Sequence, residues 1–151
     1  MARKSRPDLE QHVPTEHHIL VVDDSAITRA LIRRVIEMTG LPVKAIREAP
    51  DGAAALDILL RLVNSDPLDL VFTDLNMPGI DGIELVRRIR QHSVFDRLPI
   101  LVVSAQPDEN CLRGLERNFV QGWLAKPFTP EGVRDLMERA LGLHATIGGA
   151  P

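Results

Sequence analysis

The chain has 151 residues, 44% of them hydrophobic and 26% charged, with a formal net charge of -3. That size and balance fit one globular domain with an ordinary core, and they exclude a nucleic-acid binder built on a broad basic face. A single cysteine, Cys111, excludes an internal disulfide, and no stretch has the length of a signal peptide's apolar region or a membrane span, so a soluble cytoplasmic protein is expected.

Met1–His18 mixes charges, prolines and the histidines His12, His17 and His18 without apolar periodicity, and reads as a flexible leader. The spacing of those histidines fits no compact metal site. Residues 19–141 read as the folded domain. Ile19–Val22 is a continuous apolar run, which predicts a strand buried on both faces. It ends in Asp23 and Asp24. Ser25 suits the N-cap of a helix over about Ala26–Thr39, which Gly40 stops. This helix carries two apolar stripes. One is Ile32, Val35 and Ile36; the other is Ile27, Ala30 and Leu31, continued by Arg34. A helix lying on one face of a sheet needs only one stripe. The second is therefore either the flank of a wide core-facing arc or a docking surface beside Asp23 and Asp24.

Val43–Glu48 alternates and reads as an edge strand. After the break at Pro50–Gly52, Ala53–Val63 predicts a helix with Leu56, Leu59, Leu60 and Val63 towards the core, closed by Asn64–Pro67. Leu70–Thr73 is a short β-branched and aromatic strand that delivers Asp74 at its C-terminal end. Pro78, Gly79 and Gly82 then force a loop. Asp81 and Glu84 stand in capping-box register before a helix to about Gln91, with Ile83, Val86 and Ile89 inward. Leu98–Ser104 reads as a buried strand, Pro107–Asn118 as a weaker helix, and Trp123–Ala125 as a short strand running into Lys126–Pro127. Thr129 and Pro130 supply an N-cap and an N1 proline for a last helix with Val133, Leu136, Met137 and Ala140 inward. Gly142–Pro151 reads as a loose tail. Five strands alternating with five helices predict an α/β fold, a parallel sheet covered on both faces and joined by right-handed crossovers.

The chemistry lies at the strand ends. Asp23 and Asp24 follow the first strand, Asp74 the third, Ser104 ends the fourth, and Lys126 follows the fifth. In a parallel sheet these ends share one edge, where α/β folds keep their sites. Each residue alone has a plainer explanation: a cap, a strand-end hydroxyl, a solvated lysine. The ordered set is specific. Three clustered carboxylates repel one another unless a cation compensates, and a hard divalent ion such as Mg²⁺, which binds oxygen at roughly 2.0–2.1 Å, suits them. Lys126 adds a point charge for a phosphate oxygen and Ser104 a hydroxyl donor. Together they describe phosphoryl transfer onto a carboxylate, a reaction run mostly by positioning and charge neutralisation.

Over about Ile19–Leu141 the chain resembles the receiver domains of two-component response regulators. The resemblance rests on Val22–Ser25, Thr73–Gly82, Val103–Ala105 and Lys126–Phe128. It implies a flavodoxin-like sheet of strand order 2-1-3-4-5, with Asp74 accepting phosphate from a phosphohistidine on a histidine kinase or a histidine phosphotransfer protein. It implies Mg²⁺ held by Asp24, Asp74 and the Asn76 backbone carbonyl, with Asp23 acting through water. Ser104 and Lys126 would hold the phosphoryl oxygens, and Lys126–Pro127 would be a cis peptide. The resemblance places the kinase on the Ile27, Ala30, Leu31 and Arg34 stripe. Trp123 stands at the family's switch aromatic, usually Tyr or Phe, and with Ser104 would form the switch. Phe119–Val120 replaces the family's usual Gly-Ala pair. On this reading the chain is a stand-alone receiver that signals to a downstream protein or relays phosphate. It is not an enzyme beyond its own phosphorylation and dephosphorylation. A phosphatase of the haloacid-dehalogenase type would need an aspartate at Asn76, and a phosphate-independent adaptor would not need the full set of site residues.

Overall fold

The computed structural model describes residues 15–105 and 120–143. Five parallel strands form one sheet of order β2-β1-β3-β4-β5. They are β1 (His17–Val22), β2 (Val43–Ala49), β3 (Leu70–Thr73), β4 (Ile100–Ser104) and β5 (Gly122–Ala125). The α-helices among the described residues are α1 (Ala26–Met38), α2 (Gly52–Leu62), α3 (Gly82–Arg90) and α4 (Pro130–Leu141), with a 3-10 turn at Ser93–Phe95. The predicted helix over Pro107–Asn118, Cys111 and Phe119 lie outside the described residues, as do most of the predicted leader and tail.

Alternation along the strands divides the core in two. Ile19, Val21, Leu70, Phe72, Leu101 and Val103 point to one face, where α1 adds Ile32, Val35 and Ile36 and α4 adds Val133 and Met137. Leu20, Val22, Val71, Ile100 and Val102 point to the other, under Ala55 and Leu59 of α2 and Leu85, Val86 and Ile89 of α3. Both faces of the central strands are thereby covered, and their continuous apolar sequence follows from that. The helices start where the sequence caps them. Ser25, Asp51, Asp81 and Thr129 each accept a backbone N–H from the first turn of the helix that follows.

Three elements differ from expectation. β1 begins at His17, inside the predicted leader: the His18 N–H donates to Asp69 Oδ2 at 2.7 Å and His17 pairs with Val43. α2 buries Ala55 and Leu59, while Leu60, expected inward, is 43% exposed. Leu60 lies beside the exposed Asp57–Arg61 pair, whereas Leu56 and Val63 pack against the core as expected and Gly52 lies close under Ile80. β4 begins at Ile100, because Leu98 is still bound to the preceding turn through Phe95 O. Val120, in place of the usual small residue, is buried in the core on the α2–α3 face.

Candidate functional site

The C-terminal ends of β1, β3, β4 and β5 meet at one edge of the sheet. The Asp23 N–H donates to Ala49 O at 3.2 Å and the Asp74 N–H to Val22 O at 3.0 Å, so the strand ladder carries both aspartates to the same level. The Lys126 N–H donates to Ser104 O at 2.9 Å across β4 and β5. Lys126–Pro127 is a cis peptide, as the resemblance implied.

These side chains converge. Lys126 Nζ lies 3.2 Å from Asp23 Oδ2 and 3.6 Å from Asp74 Oδ2. Asp23, Asp24 and Asp74 each bring a carboxylate oxygen within 4.8 Å of the others. Asp23 is 1% exposed and Asp74 8%, whereas Asp24 faces solvent. Asp23 Oδ1 accepts the Ser25 N–H at 2.9 Å, and Asp74 Oδ1 accepts the Leu75 N–H at 2.7 Å and the Asn76 N–H at 3.4 Å. Burial raises the Asp74 carboxyl above its ordinary range; Asp23 adds to the rise, and Lys126 with the two N–H groups offsets part of it. Ser104 is 1% exposed, and among the described residues its Oγ has no hydrogen-bond partner. A buried hydroxyl without a partner is costly, and one at the mouth of a polar site is available to an oxygen that arrives there.

The loop after β3 is fixed from below. The Gly82 N–H donates to Leu75 O at 2.8 Å. A Cβ on Gly82 would overlap the Asp74 carbonyl oxygen and come within 2.7 Å of Leu75 Cα. Asn76 is exposed at the rim, and Trp123 on β5 is 37% exposed. On α1 the two stripes separate cleanly. Ile32, Val35 and Ile36 are buried, whereas Ile27 is 83% and Leu31 54% exposed, with Ala30 and Arg34 also outward. The wide core-facing arc is thereby excluded.

Sequence reading missed two residues beside the site. Arg29 Nη1 donates to Asp23 O at 2.7 Å and Arg29 Nε to Glu48 Oε1 at 2.9 Å. The only local signal was an arginine one helical turn past the Ser25 cap. Its acidic partner lies on another strand, where no spacing rule reaches.

The fold and site define an α/β protein with an acidic, lysine-bearing pocket at the C-terminal edge of a parallel sheet. Comparison with known proteins makes this specific: the response regulator receiver domain family matches residues 19–138, and the chain belongs to it. The chemotaxis protein CheY of Pseudomonas aeruginosa is 34% identical over 121 residues, which is 80% of this chain and 93% of that protein. A CheY homologue of Campylobacter jejuni is 30% identical over 132 residues, 87% of this chain and 98% of that protein. The sensor histidine kinase TmoS of Ectopseudomonas mendocina is 35% identical over 130 residues, but this chain, matched over 86% of its length, spans only 12% of that protein. Among solved structures, a putative response regulator from Chloroflexus aurantiacus superposes with a TM-score of 0.73 at 30% identity, covering 85% of this chain and 99% of that one. No helix of the described residues is long and apolar enough to cross a membrane.

Proposed function

We propose that this receiver domain takes a phosphoryl group onto Asp74 from a phosphohistidine, on a histidine kinase or a histidine phosphotransfer protein, with Mg²⁺ bound. The phosphorylated form then changes binding to a downstream protein or passes the phosphoryl group on. The observation that carries this reading is the meeting of Asp23, Asp24, Asp74 and Lys126 at one sheet edge, two carboxylates on the ammonium and a third beside them.

Asp74 Oδ1 is engaged by backbone N–H groups, which leaves Oδ2, facing Lys126, as the attacking oxygen. Its attack forms a P–O bond and breaks the donor's P–N bond, and the leaving imidazole keeps the electron pair and is protonated. Lys126 and Ser104 hold the phosphoryl oxygens. The all-oxygen donor set of Asp23, Asp24 and Asp74 fits Mg²⁺; Asp24, Asp74 and the Asn76 carbonyl would hold the ion, and Asp23 would act through water. Bound there, the ion neutralises charge on the carboxylates and the phosphoryl group. Ser104 and Trp123 form the switch, the hydroxyl drawn to the phosphoryl group and the indole repacking behind it. The exposed Ile27, Ala30, Leu31 and Arg34 stripe receives the helical kinase partner, since an exposed apolar stripe beside a reactive pocket serves docking. The single cysteine and the absence of a broad basic face support a cytoplasmic domain acting through protein partners, not nucleic acid or membrane. Catalysis is confined to the domain's own phosphorylation and dephosphorylation. A phosphatase would need an acid–base group where Asn76 stands.

The test is incubation with a small-molecule phosphodonor and Mg²⁺, followed by intact-mass and peptide-mass measurement. One phosphoryl group on Asp74, absent from Asp74→Asn, is expected. Phosphoryl uptake by the Asp74→Asn variant would overturn the assignment, and donor turnover faster than the isolated phosphorylated protein loses its own phosphoryl group would favour the phosphatase.

A further inference from the structure

The Asp23–Asp24–Ser25 turn between β1 and α1 supplies two of the three carboxylates, and they are held unequally. Asp23 is gripped at its N–H by Ala49 O, at Oδ1 by the Ser25 N–H and at Oδ2 by Lys126. Among the described residues no side-chain hydrogen bond holds Asp24. Its carboxylate is placed by the backbone on which it hangs, and the carbonyl just before it, Asp23 O, is taken by Arg29 Nη1 at 2.7 Å.

Arg29 is itself fixed. Its side chain is only 16% exposed, and its Nε donates to Glu48 Oε1 at 2.9 Å. Glu48 Oε2 accepts from Arg33 Nε at 3.1 Å, one turn further along α1, and Arg33 Nη2 donates to Ile46 O at 2.7 Å. Burial acts to raise the Glu48 carboxyl, but Arg29 and Arg33 outweigh it and keep the group charged below its ordinary range. Glu48 pairs in register with Val21, and Ala49, the next residue, bonds the Asp23 N–H. The clamp therefore references the acidic turn to the end of β2 through two independent bonds, one at Asp23 N–H and one at Asp23 O.

We propose that Arg29 is a positioning residue for the divalent-cation site: braced by Glu48, it holds the Asp23 carbonyl and thereby sets where the Asp24 carboxylate stands. The proposal rests on the Mg²⁺-dependent reading above. Arg33 is the built-in control, because it shares Glu48 with Arg29 but makes no bond to the acidic turn.

The experiment is Mg²⁺ titration by calorimetry of the wild type, Arg29→Ala, Arg29→Lys and Arg33→Ala, with thermal unfolding of each in chelator. Groups that orient metal ligands from behind are worth about tenfold or more in affinity. Arg29→Ala should therefore weaken Mg²⁺ binding by roughly tenfold. Arg33→Ala should leave it unchanged while losing comparable thermal stability. Arg29→Lys should fall between, since one ammonium cannot reproduce the fork that reaches both Glu48 and Asp23. A wild type that binds Mg²⁺ and an Arg29→Ala variant that binds it equally would overturn the proposal alone. Equal weakening by Arg29→Ala and Arg33→Ala would reduce Arg29 to a helix-to-strand brace and also overturn it. A wild type that binds no Mg²⁺ would overturn the functional reading beneath it. If Arg29→Ala does not fold, the Arg29→Lys and Arg33→Ala pair decides the question in the same way.

Discussion

The pocket at the sheet edge and the outer stripe of α1 share one turn of chain, and they are built on opposite principles. In the pocket, two of the three carboxylates lie buried and each is answered: Asp23 by Lys126 and the Ser25 N–H, Asp74 by Lys126 and the backbone of its own loop. On the stripe, Ile27 and Leu31 stand in solvent with none of the described residues over them, although the inner residues of the same helix are packed in the core. Charges indoors and apolar groups outdoors are both unfavourable for an isolated domain. The difference teaches a division of labour. On the proposed reading, the pocket would need only Mg²⁺ and a donor small enough to enter, whereas the stripe would need another protein against it.

The comparison can be broken at four points. Lys126→Ala should slow phosphoryl uptake by about 100-fold with small and protein donors alike, as expected when a preorganised charge is taken from a developing anion. Stopped-flow or rapid-quench kinetics with both donors checks this, and a loss confined to the protein donor would put Lys126 in the docking surface. Next, Asp24→Ala should weaken Mg²⁺ binding more than Asp23→Ala, because direct ligation outweighs action through water; metal titration checks it, with Trp123 as a candidate optical reporter. Equal losses would remove the distinction between the two carboxylates.

Leu31→Ala tests the other side. It should weaken binding to the cognate kinase by roughly tenfold. Uptake from a small-molecule donor should be unchanged, and stability should shift by less than about 0.5 kcal/mol because the side chain is exposed. A large drop in melting temperature would return Leu31 to the core and sink the division. The smallest effect concerns pH. Folding raises the Asp74 carboxyl, so the folded state holds that proton more tightly than the unfolded chain. The associated stability is present below the ordinary carboxylate range and is lost as pH rises through the raised value. In chelator, Asp74→Asn should therefore be more stable than wild type at neutral pH, with the gap narrowing as pH falls. Denaturant melts across that range read it directly, and a gap independent of pH would mean that Asp74 is not destabilised by its surroundings.

Much of this was legible because parallel strands advertise themselves: an apolar run ends on a polar or charged residue. Asp23, Asp74, Ser104 and Lys126 were found that way, and the fold brings all four to one edge. Caps were equally legible, since Ser25, Asp81 and Thr129 act within three residues of themselves. What escaped was what depends on contacts between elements. The start of β1 was hidden because two histidines interrupt the apolar signal, while its pairing is settled by Asp69 and β2. On α2 the expected Leu56, Leu59 and Val63 do meet the core, and only Leu60 escaped, because it stands beside the polar Asp57 and Arg61 face. Arg29 and Glu48 escaped because their bond joins a helix to a strand 19 residues away.

Two glycines in the loop after Asp74 are constrained in unlike ways. Gly79 has φ of 76° and open space around it, so its constraint is torsional, and an asparagine could follow it there at modest cost. At Gly82 the constraint is spatial, for the missing Cβ is the room in which the Asp74 carbonyl lies. Every missense change in that codon adds at least one carbon to that room. Selection can thus drift at position 79 and has no neighbouring step at position 82, where a methyl group would collide with the Asp74 carbonyl and the Leu75 backbone together.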